Sequence, residues 1–176
     1  MLQETALAVS ELWALVPRKA DQNLMTNVLD FTPPMVDKWD SRFLSLARSV
    51  AEWSKDPSTK VGCVIVRPDL TISGQGFNGF PRGMCDHKEL YDDRETKYSR
   101  TIHAEVNAVL NSSGTEDCIA YVTAPPCTNC ALVLIQSGIS RVVCARPSDD
   151  LLTRWGEQIE KTKGFFAEVE VEYVEM

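Results

Sequence analysis

Apolar residues recur every three or four positions through "VDKWDSRFLSLARSVAEWS". Trp39, Phe43, Leu46, Val50 and Trp53 fall on one stripe there, which predicts an amphipathic helix. The pattern then changes. "KVGCVIVRP" is a continuous apolar run ended by Pro68 and reads as a strand, and "TISGQGFN" reads as a second. The turn between them predicts a hairpin. A long, charged connection follows, "GFPRGMCDHKELYDDRETKYSRT". Connections of that length are usually functional or mobile. Beyond it, helical and strand patterns alternate. "HAEVNAVLNSS" is a helix closed by Gly114, "CIAYVTA" a strand, and "CTNCALVLIQSG" a helix closed by Gly138. "ISRVVCA" is a strand, "DLLTRWGEQIEKTK" a helix closed by Gly164, and "FAEVEVEYVEM" a last strand.

This order predicts crossover units, hence an α/β fold: a largely parallel or mixed central sheet of about five strands with helices on both faces. The expected domain covers residues 37–176. Residues 1–36 read as an N-terminal helical extension, with Leu7, Leu12 and Leu15 on one face, a stop at Pro17, a second piece over 20–30 and a break at "TPP".

The chain has 176 residues, 44% of them apolar, which suits one globular domain with a real core. Its net charge of -7 argues against a protein that grips long nucleic acid. No run reaches the length of a membrane span, and "MLQETALAVSELWALVP" lacks the basic start of a secretory signal. The expected location is cytoplasmic, or the host cytoplasm if the source is viral. Six cysteines in such a chain argue for reduced thiols rather than a disulfide framework. Cys63 and Cys144 sit in apolar strand runs and read as small buried hydrophobes.

Cys127 and Cys130 differ. They lie three apart at a predicted helix start, on one face, where the helix end favours thiolate. The other helix start carries His103-Ala104-Glu105. Residues two apart on a helix diverge, so His103 and Glu105 share a site only if the helix begins at the histidine. Two thiolates and one imidazole are a three-ligand zinc set, with the open fourth position of catalytic sites. Glu105 is then a non-ligand carboxylate beside a metal-acidified water, where a proton-transfer group is needed. His-x-Glu followed by Pro-Cys-x-x-Cys is the signature of zinc deaminases acting on cytosine or adenine.

"HAEVNAVLN" and "YVTAPPCTNCALVLIQSGISRVV", together with "SKDPSTKVGCVIV" and "GFNGFPRG", resemble the corresponding segments of the zinc-dependent deoxycytidylate (dCMP) deaminases, in their phage and bacterial form. The likeness covers residues 40–145. It implies a three-layer α-β-α cytidine-deaminase-like fold. It also implies hydrolysis of dCMP to dUMP and ammonia by a zinc-bound hydroxide, feeding thymidylate synthesis. His103, Cys127 and Cys130 would hold one catalytic zinc, and Glu105 would shuttle protons between water, ring N3 and the leaving amine.

Asn78 would hold the sugar hydroxyl. Tyr121, with Tyr98 second, is the candidate for stacking on the pyrimidine. Ala104 and Pro126 are expected to contact substrate, and Ser58, Thr59 and Lys60 to meet the phosphate. Members of the family are commonly hexamers, activated by dCTP and inhibited by dTTP with magnesium. The resemblance assigns that site to Gly76, Phe77, Asn78 and Gly79, with Phe77 in a tyrosine's place. Cys85 and His87 lack further ligands nearby and read as an ordinary polar loop rather than a second zinc site. Other readings stay open: deamination of another cytosine nucleoside or nucleotide, deamination of RNA or DNA bases, and a non-catalytic nucleotide-binding regulator of the same fold. The acidic chain weighs against a nucleic-acid partner, and Glu105 against the regulator.

Overall fold

The computed structural model describes residues 38–176, so the extension expected over 1–36 lies outside the described residues. Helix α1 spans Lys38–Ala51, and strands β1 (Gly62–Val66) and β2 (Ile72–Phe77) follow as the expected hairpin. Next come α2 (Lys88–Asp92), α3 (Arg94–Arg100), α4 (Ala104–Leu110), β3 (Ile119–Val122), α5 (Thr128–Gln136), β4 (Arg141–Cys144), α6 (Asp149–Glu168) and β5 (Glu172–Glu175). The sheet order is β2-β1-β3-β4-β5. β1 pairs antiparallel with β2 and β3, whereas β3, β4 and β5 run parallel. Each parallel step is bridged by a helix, as chain geometry requires.

Side-chain alternation divides the sheet into two faces. Cys63, Ile65, Ala120, Val122 and Val142 pack with Ala104 and Ala108 of α4, Ala131 and Leu134 of α5 and Phe166 of α6. Val64, Val66, Tyr121 and Val143 face the other way, onto Phe43, Ala47 and Val50 of α1. The result is a mixed five-stranded sheet between two helical layers. Covered on both faces, β1 is buried at all five positions, which explains its unbroken apolar run. Cys63 and Cys144 are buried in this core.

Four sequence expectations change. The long connection over 79–101 holds two short helices: Asp93 ends α2 and caps α3, accepting the Thr96 N–H at 2.8 Å. Phe80 stacks on the buried Tyr91, ring centroids 4.3 Å apart, and ties this segment to the domain. Few apolar residues mark those short helices, so the periodicity does not reveal them. α1 stops at Ala51, which leaves Trp53 off the stripe and exposed, edge-on to Phe77. α4 ends at Leu110, before Gly114. Gly164 does not close α6, because Ile159, Thr162 and Phe166 continue its buried stripe to Glu168. Burying Phe166 outweighs a glycine's cost of about 1 kcal/mol in a helix. The stop at Gly138 does hold: it follows α5 with φ +81°, the left-handed conformation favoured after a helix end.

β2 and α4 approach each other closely. A Cβ on Gly76 would overlap Ala108 N and Ala104 O, so only glycine lets the strand lie there. The carbonyls that β2 turns away from β1 are occupied from the same side. Phe77 C=O accepts from Asn107 Nδ2 (2.8 Å), Gln75 C=O from Asn111 Nδ2 (3.2 Å), and Ser73 C=O from the Ser113 N–H (3.4 Å).

Candidate active site

His103 is the N-cap of α4 (φ −73°, ψ 156°), so its side chain leaves from extended backbone, the boundary that the two-residue spacing requires. Cys127 is likewise the N-cap of α5 (φ −73°, ψ 167°), with Cys130 one turn inside. The two helix starts meet. His103 Nδ1 lies 3.5 Å from Cys127 Sγ and 3.3 Å from Cys130 Sγ. The three donor atoms lie within 4.8 Å of one another, and no other such cluster of His, Cys, Asp or Glu occurs among the described residues. Cys85 and His87 therefore do not form part of a second one.

This spacing fits zinc. Bonds of about 2.3 Å to sulfur and 2.0–2.1 Å to nitrogen at tetrahedral angles separate nitrogen from sulfur by about 3.5 Å. The thiols are also primed for it. A hydrogen bond from Cys130, with help from His103, pulls the Cys127 thiol down to about 4, and the same bond holds Cys130 well above its ordinary value. His103 is raised, chiefly by its bond to Cys127. The pairing thus favours the thiolate form at Cys127.

Glu105, in the first turn of α4, is only 4% exposed. Burial raises its carboxyl above the usual range. It stands outside the donor cluster yet beside it, near the Cys130 thiol. A buried, non-ligand carboxyl with an elevated pKa is suited to accepting and returning a proton.

A cleft of about 330 Å³ opens over this cluster, lined by His103, Glu105 and Cys127 and, around them, by Asn78, Ala104 and Tyr98. Asn78 is buried, and its amide ties the cleft floor together: Oδ1 accepts from the Val61 N–H and Nδ2 donates to the Thr59 carbonyl, each at 2.8 Å. Thr59 also lines the cleft.

Other expected residues fall elsewhere. Tyr121 points to the α1 face, its ring against Phe43 and its hydroxyl donating to Asp40 Oδ1 at 2.9 Å. A strand alternates, so the residue beside cleft-side Val122 turns away. Of the two expected tyrosines, Tyr98 is the one at the cleft. Pro126 is buried outside the lining, which Ala124 and Pro125 supply instead. Lys60 is paired with Glu52 at 3.0 Å, away from the cleft. Ser58 is held in the loop, donating to Asp56 and accepting from Lys97 Nζ at 2.6 Å. Gly76 is packed against α4, Phe77 against Trp53, and Gly79 pairs with Ile102.

Two groups of lining residues have no counterpart among the expected contacts. α3 contributes Arg94 and Lys97 beside Tyr98, and α6 contributes Leu151, Arg154 and Trp155. Both follow the i, i+3, i+4 spacing of one helical face, which was the available signal. It was hidden in α3 because the segment carries no apolar stripe.

Residues 37–146 match the family model described as the cytidine and deoxycytidylate deaminase zinc-binding region. A protein of Aliivibrio fischeri named as an uncharacterized deaminase in the luxG 3′ region is 46% identical over 139 residues, which cover 78% of this chain and 93% of that one. Human deoxycytidylate deaminase is 37% identical over 113 residues, covering 60% of this chain and 64% of its own length. Among solved structures, the dCMP deaminase of cyanophage S-TIM5 in complex with dCMP and dUMP is similar in fold. Its TM-score is 0.61 at 21% identity, over 77% of this chain and 95% of that chain.

Proposed function

This chain belongs to the cytidine and deoxycytidylate deaminase family, and from that premise we propose that it hydrolyses dCMP to dUMP and ammonia. The observation that carries the reading is the buried Glu105 beside, but outside, the His103–Cys127–Cys130 donor set, in a cleft able to admit a pyrimidine ring. Names of relatives such as the human protein support the substrate.

Zinc held by His103, Cys127 and Cys130 would supply an acidified water at its remaining position. Glu105 takes the proton lost by the attacking water and gives it to ring N3 as oxygen adds at C4. It then moves the proton of the new C4 hydroxyl to the exocyclic nitrogen, so the C4–N bond breaks as the C4 carbonyl forms and ammonia leaves. Burial suits it to both tasks, since a raised carboxyl accepts and returns a proton readily. Asn78 keeps the floor loop against β2, with the second Nδ2 hydrogen left to reach a sugar hydroxyl.

The test is ammonia release from dCMP by the purified full chain. We expect a chelator to abolish it and added zinc to restore it, in step with zinc content. A zinc-loaded protein that releases no ammonia from dCMP would overturn the reading.

Regulation belongs to the same proposal. Gly76, Phe77, Asn78 and Gly79 are proposed to serve a regulatory nucleotide, dCTP activating and dTTP inhibiting with magnesium, in a cytoplasmic homo-oligomer, hexameric as in the family. What supports it, besides the resemblance, is that this segment adjoins α4 through Gly76 and the Asn107–Phe77 bond. Added dTTP is expected to lower dCMP turnover and dCTP to relieve it. A rate unchanged by either ends the idea.

A further inference from the structure

The family match ends at residue 146, yet the cleft does not. α6 begins at Asp149 and contributes three residues to its wall, among them Arg154. α3 contributes Arg94 to the same cleft. In a chain of net charge -7, two guanidinium groups from different helices over one small cleft are a local reversal of sign. Neither has a structural task that consumes it. Arg94 makes no ion pair among the described residues and rests over the Tyr98 ring, 5.2 Å from its centroid. Among the described residues Arg154 is held only by Asp150, one turn earlier on the same exposed helix face, at 2.5 Å. Such surface pairs contribute little.

Lys97, the third cation of the cleft, is different. Its ammonium is largely buried between the Asp56 carboxylate (3.3 Å) and Ser58 Oγ (2.6 Å). Asp56 also accepts from Ser58 N and Thr59 N, so Lys97 fastens the 56–59 loop to α3 and acts as a positioning residue.

We propose that Arg94 of α3 and Arg154 of α6 form the clamp for the 5′-phosphate, and so set the preference for nucleotide over nucleoside. The proposal rests on the reading of the site as a cytosine deaminase. A phosphate monoester carries close to two negative charges at neutral pH, and planar guanidinium forks match its oxygens. The dianion outcompetes the single carboxylate of Asp150, so Arg154 exchanges partners when substrate enters. Specificity for the phosphate is then shared between α3, inside the family region, and α6, outside it, while the chemistry stays inside.

The experiment compares kcat/KM for dCMP with that for deoxycytidine in the full zinc-loaded chain. Wild type is expected to favour dCMP strongly. Arg94→Gln and Arg154→Gln should each lower the dCMP-to-deoxycytidine ratio by about 10- to 100-fold, the worth of a charged hydrogen-bond pair. Asp150→Asn should move it the other way, because Arg154 loses its competitor. A wild type without preference for dCMP overturns the substrate reading. A preference that survives both arginine substitutions overturns the clamp, whatever the substrate reading, as does an Asp150→Asn ratio that fails to rise.

Discussion

Replacing Glu105 with glutamine should cut kcat/KM for dCMP by about 10²- to 10⁴-fold, the usual worth of a positioned proton-transfer group. Glutamine keeps the shape and the burial, but it cannot accept the proton of the attacking water or return one to N3. The donor set does not include Glu105, so zinc content should be unchanged. Two readouts are therefore needed: turnover, and zinc per chain by elemental analysis. Full activity in the variant would remove Glu105 from the chemistry. Lost activity together with lost zinc would show that it acts on the metal site instead. A non-catalytic nucleotide binder would be indifferent to the change.

The second large effect is on stability and lies far from the cleft. Asp40, on α1, is 1% exposed. Its carboxylate accepts the Tyr121 hydroxyl at 2.9 Å and both terminal nitrogens of Arg141, at 2.7 and 3.0 Å. Arg141 continues through Nε to Glu172 of β5 at 2.9 Å. One side chain thus joins α1, β3, β4 and, through the arginine, the last strand. Asp40→Ala removes the carboxylate that the buried Tyr121 hydroxyl and the largely buried Arg141 guanidinium share. Breaking a buried pair from one side costs about 3–5 kcal/mol. Arg141 keeps Glu172, so the lower end applies, and thermal unfolding should move down by about 10 °C. A melting temperature within about 2 °C of wild type would show that water replaces the carboxylate at no cost.

Much of the fold was legible because its strands and longer helices carry clean periodicity. β1 is buried on both faces and reads as an unbroken run, and the two helix starts that meet at the cleft are marked by His103 and the Cys127–Cys130 pair. The donor cluster was legible because its residue types are rare and its spacing is tied to helix ends. Tyr121 shows the limit. That strand positions alternate is plain from the sequence, but which alternate face meets the cleft depends on how α1 and α4 pack on the sheet. Lys60 shows another: whether a loop cation faces ligand or solvent is decided by its partner, here Glu52 on the turn before it. Arg94 and Arg154 are brought together only by tertiary structure, from residues 60 apart, in segments that no short motif joins.

The contact between β2 and α4 also bears on the company this protein keeps. β2 is a sheet edge, and an edge with open carbonyls invites pairing with any extended chain nearby. Here Asn107, Asn111 and the Ser113 N–H already occupy three of those acceptors. The first two belong to the helix that begins at His103 and to its cap. An intruding strand would therefore have to displace these donors, and so loosen α4 from β2, before it could bind. The bonds that hold α4 against β2 also guard the edge against aggregation, so loosening that contact should surface in both.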